Sequence, residues 1–202
     1  YYAAHGVTSF CFTTMTIGED ALAQAMRNIR GYERQGAQAK CAGVHLEGPF
    51  VSYKKRGAQK AENIRMPDLD LFYRMSELSG GKLKIITMAP ELDGAVEFIR
   101  EASKVCAVSL GHTTADYATA MAGFEAGATQ VTHLFNAMQP LHHGDQIGSD
   151  LRRVMRLSIF DEVIQQRLKR FAFGSVRNFI GERHKSRPFV VKPVVFVLTG
   201  SV

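Results

Sequence analysis

The chain has 202 residues with 46% hydrophobic side chains, and its longest apolar run, Val194 to Leu198, is far short of the ~20 residues that cross a bilayer, so the sequence reads as globular with no membrane span. Its net charge of +6 invites a nucleic-acid reading, but residues 1–143 hold 14 Lys/Arg against 14 Asp/Glu, and the whole excess falls in residues 144–202, with 11 against 5. A charge confined to one segment argues against a basic groove assembled across a fold.

In chain order, the first strand candidate is Gly6–Phe12. Thr16-Ile17-Gly18-Glu19 resembles a capping box, opening a helix with Leu22, Met26, Ile29 and Tyr32 on one face and Gly36 as its stop. A second strand, Cys41–Leu46, runs into Glu47-Gly48-Pro49 and a Lys/Arg/Gly-rich loop, and a helix follows near Asp68–Leu78. Strand three, Leu83–Met88, ends at Ala89-Pro90-Glu91 before a helix near Asp93–Ala102. Strand four, Val105–Leu110, ends at Gly111-His112, and Thr113-Thr114-Ala115-Asp116 caps a short helix closed by Gly127. Strand five is Thr129–Leu134. Beyond residue 143 the rhythm fails: residues 150–170 have a helical but Arg-laden pattern, 177–193 are basic and turn-rich, and only Val194–Leu198 is strand-like.

Strands separated by single helices imply parallel βα units, which fit either a doubly wound sheet or a (β/α)8 barrel. No glycine-rich phosphate fingerprint follows a strand, and the ligand-type residues Glu47, His112 and His133 fall at strand ends, His133 within strand five near its close. The preferred fold class is therefore α/β, a partial (β/α)8 TIM-type barrel of about five βα units with an atypical basic C-terminal tail. Alone, a strand-end His or Glu is more often a satisfied polar group than a ligand. Three at matching positions in successive units form a set suited to a catalytic divalent metal, and metal-assisted hydrolysis is the implied chemistry. Cys11, Cys41 and Cys106 are odd in number and widely spaced, and read as buried free thiols in a reducing compartment. No basic segment leading into an apolar one suggests a signal peptide, and the expected location is cytoplasmic.

His45-Leu46-Glu47-Gly48-Pro49-Phe50, Met88-Ala89-Pro90-Glu91, Ser109-Leu110-Gly111-His112-Thr113 and Thr132-His133-Leu134-Phe135-Asn136-Ala137-Met138 follow one another in order. Together with Gly6–Thr16 and Pro140-Leu141-His142-His143, they resemble the N-acetylglucosamine-6-phosphate deacetylases of the amidohydrolase superfamily over about residues 1–143. The resemblance implies Glu47, His112 and His133 as metal ligands, for zinc or iron. It also implies Asn136 and Ala137 in a segment holding the substrate's phosphate, Ala58 at a substrate-contacting position, and His142 and His143 in a loop approaching the phosphosugar. The implied reaction gives glucosamine 6-phosphate and acetate, within amino-sugar recycling, in a family that is commonly homodimeric. Other readings are an amidohydrolase acting on another amide, or a non-catalytic fragment whose basic tail contacts nucleic acid. Lys54-Lys55-Arg56-Gly57 either lends positive potential to a phosphosugar site or is a solvated loop, the latter preferred for Lys54 and Lys55. Glu91 likewise has two readings, a site residue or a carboxylate just ahead of a helix, where it commonly favours the positive N-terminus.

Gly144 stands where the family has an Arg that contacts the phosphate bound in a neighbouring subunit. The His that contacts substrate and the Asp that serves as general acid/base, expected from later strands, find no match among residues 144–202. The family's first barrel strand would precede Tyr1, so unpaired sheet edges, poor stability and aggregation are expected. The break in resemblance coincides with the charge shift, which divides the chain into a partial barrel, 1–143, and a non-matching tail, 144–202, as a frameshift or fusion would produce.

Overall fold

The structure, a computed structural model, describes residues 2–133, 136–138 and 195–197, all within one compact unit of Tyr1–Pro140 with Val194–Val202. The expected features of residues 144–193 lie outside the described residues. Six strands, β1 (Ser9–Thr14), β2 (Lys40–Glu47), β3 (Leu83–Met88), β4 (Ala107–Leu110), β5 (Gln130–Val131) and β6 (Val195–Val197), form one parallel sheet in the order β5-β4-β3-β2-β1-β6. Strands adjacent in sequence are adjacent in the sheet from β1 to β5. β6 then returns to the free edge of β1, the place that a (β/α)8 barrel gives its closing strand. The architecture is accordingly a partial TIM-type barrel.

Helices α1 (Glu19–Arg30), α2 (Leu69–Leu78), α3 (Ala95–Ala102) and α4 (Tyr117–Glu125) connect successive strands. In α1 the buried residues Leu22, Met26 and Ile29 recur at helical spacing, and in α3 Ala95, Phe98, Ile99 and Ala102 do so. Asp68 caps α2 by accepting from the Leu71 amide at 2.9 Å, and Asp116 caps α4 from the Thr119 amide at 2.8 Å. The core lies between helices and sheet, where Phe98 packs edge-on against Phe50 and Phe72 with centroids 4.9 and 5.4 Å apart. No helix among the described residues is long and apolar enough to cross a membrane.

Several local expectations shift. The first strand starts at Ser9 rather than Gly6, and α1 ends at Gly31, not Gly36. The capping box does not form, because Gly18 precedes α1 without a side-chain cap while Thr16 is engaged elsewhere. Its amide donates to Gln59 Oε1 at 2.7 Å and its hydroxyl to the Glu47 carbonyl at 3.3 Å. Strand five is only two residues long, and His133 lies beyond it. The outer edge of β1, expected to be open, is paired with β6 through Cys11↔Val195, Phe12↔Phe196 and Thr13↔Val197. The three cysteines are free; Cys106 is buried, and burial pushes its thiol up to about 12, while Cys11 and Cys41 are half-buried.

Candidate metal centre

Alternation along the strands sorts their side chains. Val44, Leu46, Ile86, Met88, Val108 and Leu110 join the core beneath the helices. The intervening residues are polar and meet across the other face: His45 Nε2 lies 2.7 Å from Thr87 Oγ1 and its Nδ1 3.3 Å from Thr13 Oγ1. Thr132 Oγ1 is 2.7 Å from both Thr87 Oγ1 and Ser109 Oγ. This chain of hydroxyls around one imidazole satisfies groups that would otherwise be buried alone. Burial holds His45 well below the usual histidine range, at about 4, against the opposing charge of Glu47.

At the carboxyl ends of the strands three side chains converge. Glu47 closes β2, His112 follows β4 after Gly111, and His133 follows β5 after Thr132. The Nε2 atoms of His112 and His133 each lie 2.9 Å from Glu47 Oε1, and the two rings stand edge to face with centroids 5.1 Å apart. Glu47 and His112 are buried, while His133 is exposed and forms the open side of the cluster. Burial alone would raise the Glu47 carboxyl, but the two imidazole hydrogen bonds outweigh it and hold the group at about 2. His112 is opposite in sign: burial lowers it, yet the Glu47 hydrogen bond and the Lys55 carbonyl leave it raised above its ordinary value.

The backbone here is unusual. His112, His133 and Ala137 have φ of 50°, 54° and 50°, in the left-handed region that non-glycine residues rarely occupy. The His112 carbonyl accepts from the Ser52 amide at 2.9 Å. Gly48, at φ 84°, is required for a second reason: a Cβ there would sit 2.1 Å from Thr16 Oγ1, the hydroxyl that donates to the Glu47 carbonyl.

The cluster suits a divalent cation. One carboxylate oxygen and one nitrogen from each imidazole lie within 4.8 Å of one another. His112 Nδ1 is 2.9 Å from the Lys55 carbonyl, an outer hydrogen bond that fixes the proton on Nδ1 and aims the Nε2 lone pair at the cluster. A ring with an acceptor at each nitrogen is satisfied either as an imidazolium or with a metal in place of the Nε2 proton. The donor set of two imidazoles and a carboxylate is that of an open catalytic site.

Other expected site residues are placed as follows. Asn136 is exposed, its amide donating to the His133 carbonyl, and the Ala137 carbonyl accepts from the Thr113 amide at 3.2 Å, so the Asn136–Ala137 turn is tied to the loops that carry His112 and His133. Ala58 is exposed in the loop that also carries Lys55. His142 and His143 lie outside the described residues. In the basic run Lys54 is exposed and Arg56 stacks 4.5 Å above the Tyr53 ring, whereas Lys55 contributes its backbone rather than its charge. Glu91 does not serve α3, whose N-cap is Gly94. Its carboxylate instead accepts from the Thr113 hydroxyl and, at 2.6 and 2.9 Å, from the Thr114 amide and hydroxyl. Sequence reasoning missed the Lys55 carbonyl, which any residue type could supply, and the Glu91 partnership, which spans two loops.

No protein-family model matches the sequence. Among curated proteins, N-acetylglucosamine-6-phosphate deacetylase of Bacillus subtilis is 44% identical over 143 residues, covering 68% of this chain and 36% of the relative. The Bos taurus protein of the same name is 43% identical over 146 residues, covering 70% and 36%. Among solved structures, the Mycobacterium smegmatis N-acetyl-D-glucosamine-6-phosphate deacetylase, in one case a variant in complex with N-acetyl-D-glucosamine-6-phosphate, matches with a TM-score of 0.65 and 34% identity over 70% of this chain and 37% of that one. The chain thus spans just over a third of the length of the relatives it matches.

Proposed function

Over 70% of its length this chain is a partial member of the N-acetylglucosamine-6-phosphate deacetylase family, and we propose that Glu47, His112 and His133 hold a divalent metal ion, zinc or iron, for hydrolysis of the N-acetyl group of N-acetylglucosamine 6-phosphate in the complete protein. When bound, such an ion supplies Lewis-acid activation of water and of an amide carbonyl. What carries this reading is the convergence of two imidazole nitrogens, each at 2.9 Å, on one buried carboxylate oxygen.

The chain's own residues supply the seat. Glu47, held at about 2, brings a full negative charge at neutral pH. Lys55, through its carbonyl, keeps the His112 ring in the ligating tautomer. The exposed face of His133 opens the centre towards the side from which a sugar would enter. In this reading the Asn136–Ala137 turn takes the phosphate, the Ala58 loop contacts the sugar, and His142 and His143 approach it.

Residues 1–143 are taken as the metal-binding part of a barrel and 144–202 as a segment of separate origin. The general acid/base Asp has no counterpart in the matched motifs, and its absence typically removes about 10²–10⁴-fold in rate. Homodimerisation and a cytoplasmic location belong to the same proposal. The test uses the full 202-residue chain: chelator competition measures Zn²⁺ affinity, and acetate release from the sugar phosphate measures turnover. We expect Zn²⁺ binding that His112→Ala weakens by more than the 10–100-fold usual for an outer partner, and little turnover. Absence of Zn²⁺ binding would overturn the metal reading, and robust acetate release abolished by His112→Ala would overturn the prediction of impaired catalysis.

A further inference from the structure

We propose that Glu91 is a positioning residue, whose carboxylate clamps Thr113 and Thr114 and so fixes both the His112 backbone and the turn at Ala137 on which metal affinity depends. The inference rests on the metal reading given above.

An ionised carboxylate only accepts, with about four lone-pair directions available. Glu91 fills three of them from one neighbouring loop: the Thr113 hydroxyl, the Thr114 amide and the Thr114 hydroxyl. Thr113 Oγ1 also accepts from the Ala115 amide at 2.8 Å, so its own proton is committed to Glu91 and its orientation is set from both sides. The clamp acts on the residue that immediately follows His112. On the other side of His112, the Gly111 amide donates to the Met88 carbonyl at 3.0 Å. His112 is therefore suspended between two anchors from the end of β3, Met88 and Glu91. Its left-handed φ of 50° persists only if such neighbours over-determine it.

The same clamp extends to the third loop. Thr113, once oriented, directs its amide to the Ala137 carbonyl at 3.2 Å, and the adjacent Asn136 amide returns to the carbonyl of His133. One carboxylate thus ties the His112 and His133 loops together without touching either imidazole. A glutamine in its place would offer an NH2 group towards donors that need an acceptor, so the charge as well as the length of the side chain matters.

The test uses the full chain with Zn²⁺ as probe. Glu91→Ala should weaken Zn²⁺ affinity by about 10–100-fold in chelator competition, with Glu91→Gln between it and the parent. In the metal-free chain, amide exchange at Ser52 and Thr113, which donate to the His112 and Ala137 carbonyls, should quicken in the same order. Glu97→Ala, which removes an exposed carboxylate whose ion pair among the described residues is with Arg100, should move neither readout. If Glu91→Ala does not fold, Glu91→Gln is judged by the same criteria. Parental Zn²⁺ affinity in the folded variant overturns the proposal. A parent that binds no Zn²⁺ sinks the metal reading instead, and Glu91 is then judged on exchange alone: faster exchange sustains the clamp, and unchanged exchange refutes it.

Discussion

The two faces of the sheet carry different burdens. On the helix side, Ile86, Met88, Val108 and Leu110 pack with Phe50, Phe72 and Phe98, and hydrocarbon burial does the stabilising. On the other face, Thr13, His45, Thr87 and Ser109, with Thr132 just past β5, form a hydrogen-bonded chain, with Glu47 and the two ligand-type histidines at its upper end. Hydrogen bonds in such a position offset much of their own desolvation, so each adds only about 1 kcal/mol net. The apolar packing thus lies on one side of the strands and the candidate metal ligands on the other. Substitutions on the two faces should separate stability from metal affinity.

The largest effect is expected on the helix side. Phe98 is 2% exposed and touches two other aromatic rings, so Phe98→Ala should cost about 3–5 kcal/mol in denaturant unfolding. The molecules that remain folded should bind Zn²⁺ as the parent does. A Zn²⁺ affinity that falls for the folded fraction would mean the two faces are coupled.

On the polar face the expected signature is in pH. His45 is held at about 4 in the folded metal-free chain against an ordinary value of 6.5. Between these values the unfolded chain takes up a proton that the folded chain refuses, so stability is full above about pH 6.5 and declines down to about pH 4. The loss is at most about 3 kcal/mol, at 1.36 kcal/mol per pKa unit. Glu47 then acts lower, its contribution being lost as pH falls from 4.5 through about 2. His112 has the opposite sign: its raised value adds stability that is complete below 6.5 and is lost as pH climbs through the folded value. Replacing His45 with asparagine should flatten the metal-free chain's stability between pH 6.5 and 4. An unchanged acid limb in that variant would remove His45 as its cause.

Much of this division was legible in the sequence. Periodicity located α2, α3 and β3 closely, because Leu71, Phe72, Met75, Phe98 and Ile99 report a buried helical stripe and Leu83–Met88 is bounded by turn residues on both sides. Glu47, His112 and His133 were legible as a set because parallel βα units bring the carboxyl ends of β2, β4 and β5 to one side of the sheet. The sequence misled where tertiary partners override local pattern. Thr16 reads as a cap but bonds to Gln59 and the Glu47 carbonyl, and His133 reads as strand but follows the point where β5 turns away in a left-handed conformation. Glu91 reads as a charge for the next helix and instead serves a loop 22 residues on, a pairing that only the folded chain reveals.

The smallest predicted effect compares two helix caps that look alike in sequence. Asp68 and Asp116 each accept from the amide three residues on, and removing such a cap typically costs about 1 kcal/mol. Asp68 opens α2, whose buried residues Leu71, Phe72 and Met75 belong to the helix-side core. Asp116 opens α4 just two residues beyond Thr114, which Glu91 holds beside the candidate metal ligand His112. Asp68→Ala should therefore lower the unfolding midpoint and leave Zn²⁺ affinity unaltered. Asp116→Ala should leave Zn²⁺ affinity unaltered as well if the Glu91 clamp isolates His112 from the helix that follows. A weaker Zn²⁺ affinity in Asp116→Ala alone would show that the left-handed turn at His112 needs α4 behind it, and would move part of the positioning role from the carboxylate to the helix.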